Sequence, residues 1–426
     1  MSSPPRLLFL AHAPNEEHMR DMAELFRMSF VGPLAETGQA NCEILWVGQW
    51  LEQRGESLDW TVFRHCIERR PDAVLSYGWW RERHSEGAGT VSLVTFYLLR
   101  ALLGIRVHAY LFDQAGEHFR VTDELACFCD LAFTHEDEAR YRAFTRYFDR
   151  HRKMIATLSP RLFHGDPARA RPVDVGFAGG VAGYPPERAR GLAALRGAGV
   201  EVDVPGGRGA GEHRLTNEEY AGFFKESKIV LNWSRHISGL WFQAKGRIFE
   251  ATLAGALLVC EECPEVNRYF RPHEEYVPFS DESDLVDKVK RYLARPEERL
   301  AIAQRGHRRA LGNYSAQAQW GRTLAEMAGP GLYDEADALA ALSKNASRRE
   351  LDAVQLFERC LPSALPGFDS RALARAAAAV RAGHPAFESA LRRERFRQAW
   401  HWRKLLRRIV PASITRDRLR SILRRG

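Results

Sequence analysis

The stretch Lys228–Glu265, KIVLNWSRHISGLWFQAKGRIFEATLAGALLVCEECPE, limits the possible fold more than any other part of the chain. It opens on a short apolar run, Ile229–Asn232, whose length and β-branching predict a strand. A loop follows, carrying Ser234, Arg235, His236, Ser238 and Gly239. Ile248, Thr252 and Gly255 then fall on one helical face with Phe249, Leu253 and Ala256 beside them. Gly255 suits the end of that helix, and Leu257–Cys260 reads as a second buried strand. A strand–loop–helix–strand unit of this kind belongs to a parallel α/β sheet, where ligands bind at the carboxyl ends of the strands.

The charges in this unit are unusual. Lys245 and Arg247 stand at the start of the helix, where the macrodipole disfavours cations. A bound anion reverses that penalty, and the free N–H groups of a helix start already favour phosphate. The plainer alternative is that both side chains extend into water. Glu250 is a lone carboxylate within Ile248-Phe249-Glu250-Ala251-Thr252. It either pairs with Arg247 three residues back or accepts hydrogen bonds from paired sugar hydroxyls beside an anion site.

Lys245-Gly246-Arg247-Ile248-Phe249-Glu250-Ala251 followed by Ala254-Gly255-Ala256 resembles the donor half of GT-B glycosyltransferases, most closely the branch with the CgeB and glycosyltransferase group 1 families. The resemblance continues through Leu285–Tyr292, Arg295–Arg299 and Ile302–His307 to Asn313-Tyr314-Ser315. It implies two Rossmann-like domains facing across a cleft, basic residues on the donor diphosphate, and Glu250 on the nucleotide ribose. Many relatives carry another Glu eight positions earlier that touches the donor sugar. Here that position is Phe242, so the resemblance supports a nucleotide more firmly than any particular sugar.

The first part of the chain alternates predicted strands at Arg6–Ala11, Glu43–Val47, Ala73–Tyr77, Arg106–Phe112 and Leu131–Thr134 with helices at Glu16–Phe30, Trp60–Arg69 and Val91–Leu103. That alternation predicts a doubly wound parallel sheet. No G-x-G-x-x-G follows the first strand, so the usual dinucleotide fingerprint is missing there. The resemblance extends to Asp113, since relatives commonly close the equivalent strand with an aspartate. His118 lies just beyond, where a histidine can position the transferred sugar or move a proton, or else be an exposed loop residue. His12 and Asn15, after the first strand, are candidates for the acceptor side. Thr134-His135-Glu136-Asp137 resembles the family's usual strand end before a helix, and Ser159–Phe163 its approach to the hinge.

His164–Pro172, with two prolines and no apolar periodicity, reads as a linker. Val173–Phe177 begins the second sheet, and Gly179 and Gly180 follow, where glycine lets a nucleotide approach the backbone at a helix start. Thr216 and Glu219 have capping-box spacing for a helix over Thr216–Lys225. Tyr276–Phe279, Glu282–Leu293, Pro296–Leu311 and Gln317–Met327 complete the domain, and in GT-B proteins the last helix often crosses back onto the first domain. The expected division is therefore 1–165 for the acceptor domain, 172–328 for the nucleotide-sugar donor domain, and 329–390 for a helical extension with no strand signal. Residues 391–426 form a basic amphipathic tail.

That tail carries most of the charge. The chain totals +8, yet residues 391–426 hold thirteen Lys or Arg against Glu394 and Asp417, leaving −3 for the rest. With 45% hydrophobic and 27% charged residues the composition is that of a soluble globular protein. No apolar run reaches the roughly 18–20 residues that span a bilayer, and no secretory signal is evident at the start. In the tail, basic residues interleave with Phe396, Trp400, Trp402, Leu405, Leu406, Ile409 and Val410. Such a helix suits an anionic membrane surface. Nucleic acid competes for any strongly basic tail, but the apolar interleaving favours membrane, and a helix folded onto the enzyme is the plain alternative. The seven cysteines are scattered; Cys260 and Cys263 form one CxxC with no second pair or nearby histidines to complete a zinc site. Reduced thiols and a cytoplasmic location are expected.

Together these features predict a metal-independent glycosyltransferase without a cofactor, its nucleotide-sugar being a substrate. The expected acceptor is a glycan, a lipid-linked glycan or a protein, with envelope polysaccharide or lipopolysaccharide assembly the natural setting. Expected donor-side residues are Gly179, Gly180, Asn232, Ser234, Lys245, Arg247 and Glu250, with Asp113 and His118 as catalytic candidates. An NDP-sugar 2-epimerase of the same fold, and a non-catalytic scaffold on membrane or nucleic acid, are the competing readings.

Overall fold

A computed structural model of the protein describes residues 3–13, 15–77, 89–111, 123–135, 142, 145–181, 185–205, 215–235 and 242–384. The chain divides into two compact units. One comprises the residues up to Val91 together with Leu99–Asp334, and the other Ser92–Leu98 together with the chain from Glu335.

The larger unit contains two parallel sheets. The first has six strands, β1 (Arg6–His12), β2 (Asn41–Val47), β3 (Ala73–Tyr77), β4 (Arg106–Leu111), β5 (Leu131–Thr134) and β6 (His151–Lys153), in the order β2-β1-β3-β4-β5-β6. In the interior strands β1 and β3–β5, all but the opening residues of β1 and β4 are buried, whereas the edge strand β2 is half-exposed. This matches the near-continuous apolar runs expected of a sheet covered on both faces. Helices follow the predicted segments closely. Leu58–Arg69 starts two residues earlier than its apolar period suggests because Ser57 caps it, accepting from the Trp60 N–H. The very short elements, such as β6 and the helices Val31–Glu36 and Gln49–Gln53, span too few residues to leave a periodic signal.

The second sheet comprises β7 (Val173–Gly176), β8 (Ser227–Asn232), β9 (Leu257–Glu261) and β10 (Val277–Phe279), in the order β10-β9-β8-β7. Alternate residues face opposite layers. Val175, Ile229, Leu231, Leu257 and Val259 pack with Leu192, Leu195, Leu285 and Val289. Val230, Leu258 and Cys260 pack with Phe224, Ile248, Leu253 and Tyr314. The capping box at Thr216 and Glu219 is formed, and its helix, Asn217–Glu226, runs directly into β8.

Arg171 secures the linker to this sheet. Its guanidinium donates to the carbonyls of Phe224, Lys225 and Ser227 at 2.8–3.1 Å and to those of Ala254 and Asp166 at 2.7 and 3.2 Å. It thereby satisfies carbonyls at the ends of two helices, which lack partners within the helices themselves. Gly255 lies beside it with φ +77, and a Cβ there would come within 2.8 Å of the Pro167 nitrogen. The helix Ala316–Ala328 crosses back onto the first sheet, as the family pattern leads one to expect. Trp320 and Met327 join the core around Phe9, Phe26 and Tyr77.

In the smaller unit, helices Glu335–Lys344 and Arg348–Ala364 are followed by a third over 370–384. Tyr97 donates to Glu335 at 2.6 Å, and Arg375 pairs with the same carboxylate at 2.9 Å. All seven cysteines are free thiols. Among the described residues no helix is long and apolar enough to cross a membrane.

His108, inside β4, is fully buried, and neither ring nitrogen has a hydrogen-bond partner among the described residues. Burial, assisted by Arg106 and Arg100, lowers its pKa from 6.5 to about 3. His151, His164 and His307 are also lowered, each chiefly by burial. A histidine depressed on folding contributes stability above its unfolded pKa, and that stability is lost as pH falls. Glu250 and Glu261, raised by burial, act in the opposite sense near pH 4.5 and above. Stability is therefore expected to fall between pH 7 and 5, with His108 alone accounting for roughly 2 kcal/mol. Urea unfolding of wild type and His108→Leu at both pH values checks this. The variant should lose distinctly less on acidification, and an equal loss in both would refute the assignment.

Candidate functional site

The site is built where β8 and β9 end. Asn232, the last residue of β8, is fully buried and donates to the Ser234 hydroxyl at 3.1 Å and to the Cys260 sulfur at 3.2 Å. Glu261 closes β9 and accepts from the backbone N–H groups of Ser234 and Arg235 at 3.0 and 3.2 Å. Burial raises its carboxyl pKa, and those two N–H groups oppose the rise. The loop leaving β8 is thus tied to the neighbouring strand by side chains that hold the backbone in place.

Arg247 does not extend freely into water. Its Nε donates to the Ala178 carbonyl at 2.5 Å and its Nη1 to Asn232 Oδ1 at 3.0 Å. The guanidinium carbon lies 4.8 Å from the centre of the Phe177 ring. Gly179 makes this possible: its φ is +155, and a Cβ would stand 2.3 Å from Arg247 Nη2. Gly180 accepts at its carbonyl from Arg188 at 2.8 Å. The turn after β7 therefore needs glycine so that Arg247 can lie against the backbone. Lys245 is half-buried one residue before Gly246 and donates to Gln243 Oε1 at 2.5 Å. The Gln243 amide nitrogen in turn lies 2.9 Å from His135 Nε2.

Glu250 is buried on the same helix, Arg247–Leu253. Its partner is not Arg247, which is turned toward Ala178 and Asn232, but the Tyr220 hydroxyl, which donates to Oε2 at 2.8 Å. Burial raises the Glu250 pKa, while the Arg247 charge and the Tyr220 hydrogen bond act against the rise. A buried carboxylate with one hydroxyl already on it retains acceptor capacity for another.

A cavity of about 240 Å³ adjoins this helix start. Phe30, Tyr77, Tyr110, His135 and Ile155 line it from the first sheet's side, and Gln243–Gly246 with Phe249 from the second's. Tyr77 and Tyr110 stack with planes 8° apart and centroids 5.8 Å apart, and Phe30 meets the Tyr110 ring edge-on at 4.7 Å. Phe30 has φ 60, a strained value for a bulky residue. It is held by its N–H donating to Thr157 Oγ1 at 3.0 Å and by Trp320 Nε1 donating to its carbonyl at 3.2 Å.

The structure thus brings Gly179, Asn232, Ser234, Lys245, Arg247 and Glu250 into one neighbourhood, with Gly180 beside them. It buries Asn232 and Ser234 completely, so they position Arg247 and the loop rather than present polar atoms to solvent. His12, at the end of β1, is buried with Nε2 3.4 Å from the Ser76 hydroxyl, and Asn15 is exposed before the helix Glu16–Met28. Neither is among the described residues lining the cavity. Asp113 and His118 lie outside the described residues, as do His236–Gly239 and the tail 391–426. Sequence reasoning did not find Tyr220, Gln243, Tyr77 or Tyr110. The two strand tyrosines read as core, and the first two act through contacts far apart in sequence.

A family model described as glycosyl transferase-like matches residues 188–325. No curated protein matches the sequence. Several solved structures share the fold. An alpha-glucosyltransferase in complex with UDP-glucose and DNA containing an abasic site is 9% identical, covering 76% of this chain and 100% of its own, with TM-score 0.54. A glycosyltransferase from Rickettsia africae ESF-5 is 10% identical, covering 77% and 100%, with TM-score 0.51. HepE from Anabaena in complex with UDP-glucose is 14% identical, covering 75% and 99%, with TM-score 0.50.

Proposed function

We propose that this chain, which is a glycosyltransferase of the GT-B fold, moves a sugar from a nucleotide-sugar bound at the second sheet to an acceptor entering from the first. The observation that carries the reading is the start of the helix Arg247–Leu253, where a fixed guanidinium, a lysine and a buried carboxylate stand together beside the cavity. In this reaction the bond between the anomeric carbon and the diphosphate oxygen breaks as the acceptor oxygen bonds to that carbon. Arg247, Lys245 and the helix start neutralise the departing diphosphate, with their dipoles already oriented before the reaction. Glu250 accepts from the ribose hydroxyls, and Tyr220 fixes its orientation. Asp113 and His118 are the candidates beside the transferred sugar.

Neutralisation by protein cations makes the reaction metal-independent in this account. Transfer from a nucleotide-sugar to an added glycan or lipid-linked acceptor is expected to persist in excess EDTA. Activity restored only by Mg²⁺ or Mn²⁺ would contradict it. Donor consumption that needs no acceptor would instead favour epimerisation.

The basic tail 391–426 is proposed to hold the enzyme on an anionic membrane surface, where each basic residue contributes on the order of 1 kcal/mol. A lipid-linked acceptor of envelope polysaccharide or lipopolysaccharide assembly fits that location. Sedimentation with phosphatidylglycerol vesicles should pellet the full chain and not a chain ending at Ala390. Equal behaviour of the two would exclude the tail as the anchor.

A further inference from the structure

On the edge of the second sheet opposite the cleft lies a second cavity, of about 390 Å³. Its lining residues from the linker, β8 and the turn at Gly255 stand at or near the amino ends of β7, β8 and β9, and the rest belong to the start of the helix Pro296–Tyr314, whereas the donor-side residues lie at or beyond the carboxyl ends of the strands. Four cations line it, Arg169, Arg171, Lys228 and Arg299, against the single carboxylate of Glu297. Lys228 is paired with Asp174. Arg171 cannot swing away, because five backbone carbonyls hold its terminal nitrogens. Its Nε is buried and has no hydrogen-bond partner among the described residues.

The helix Pro296–Tyr314 also begins at this cavity, with proline in its first turn and no side-chain cap. Arg299 sits in that first turn after Glu297 and Glu298, where the dipole favours the two carboxylates and disfavours the cation. Its Nη1 donates to the Tyr292 carbonyl at 2.8 Å. Burial lowers the Arg171 pKa to about 10; the Asp166 carboxylate opposes the fall, and the neighbouring charges of Arg169 and Arg299 add to it. Like charges confined at an uncapped helix start are offset by a bound anion, and a guanidinium fork matches phosphate oxygens.

We propose that this cavity is an anion site, separate from the donor cleft, that binds a small phosphate-bearing molecule between Arg169 and Arg299, in the field of the fixed Arg171 guanidinium. Phosphate is preferred over a carboxylate because the guanidinium groups approach from two elements, the linker and the helix start, and a tetrahedral anion presents oxygens to both.

Calorimetric titration of the full chain with inorganic phosphate, at ionic strength held constant with chloride, tests it. The donor-site variant Lys245→Ala/Arg247→Ala should keep one phosphate site. Arg169→Ala/Arg299→Ala should bind phosphate there at least tenfold more weakly, with turnover within twofold of wild type. Arg169→Glu, altering an exposed side chain that leaves the fold untouched, should weaken binding as much. Phosphate binding unchanged in both Arg169 variants, or lost altogether in Lys245→Ala/Arg247→Ala, would overturn the proposal, as would no binding beyond chloride in any protein. Phosphatidylglycerol vesicles distinguish the source of the anion. Binding that phosphate competes away and that Arg169→Glu weakens identifies a lipid headgroup, and vesicle binding unaffected by either identifies a soluble phosphate.

Discussion

Arg247→Ala is expected to lower kcat/KM for transfer by roughly 30- to 1,000-fold, corresponding to about 2–4 kcal/mol for one charge-assisted contact on a developing anion. The size of the effect follows from preorganisation. The guanidinium is already oriented by Ala178, Asn232 and the Phe177 ring, so it undergoes little rearrangement when the diphosphate departs. Arg247→Lys should recover only part of the loss, since an ammonium cannot keep both protein contacts and a bidentate grip on phosphate. Gly179→Ala should reproduce much of it, because the new methyl would stand 2.3 Å from Arg247 Nη2 and displace the guanidinium. Steady-state kinetics with thermal unfolding as a control check this. Wild-type turnover in Arg247→Ala and Gly179→Ala would place the diphosphate elsewhere.

Trp320→Ala is expected to destabilise the protein by about 3–5 kcal/mol, the range for removing a buried aromatic from a core. Trp320 is fully buried, meets Phe9 edge-on at 6.0 Å, and donates from Nε1 to Thr157 Oγ1 at 3.1 Å and to the Phe30 carbonyl. Its removal therefore loosens the strained turn at Phe30 and with it the aromatic wall of the cavity. Acceptor KM should rise more than donor KM at a temperature where the variant is folded. Denaturant unfolding gives the stability change, and a loss below 1 kcal/mol would show that the returning helix is not part of the first sheet's core.

Much of this architecture was legible because it is written in local patterns. The strands are short apolar runs, the helix Asn217–Glu226 announces itself by Thr216 and Glu219, and Gly255 marks a helix end through its positive φ. The group Lys245–Glu250 stood out because charges lie where a helix start and a buried face disfavour them. What could not be read depends on contacts between distant residues. Glu250 suggested Arg247 as a partner three residues away, yet finds Tyr220 thirty residues earlier. Asn232 and Ser234 looked like polar groups facing a ligand, and only the packed sheet reveals that they are buried supports for Arg247. Arg171, in a linker without periodicity, gave no hint that five carbonyls converge on it.

The central claim, that the helix start at Arg247 binds a nucleotide diphosphate, is tested most directly by equilibrium binding of UDP-, GDP-, dTDP- and CMP-sugars to wild type, Arg247→Ala and Glu250→Ala. Bound ligand raises apparent stability by mass action, so a thermal-shift panel suffices for the first comparison. The account predicts that one nucleotide class raises the wild-type midpoint in a concentration-dependent way and that both variants lose most of that shift. A shift retained in full by both variants, or none from any nucleotide-sugar with the wild type, would contradict it.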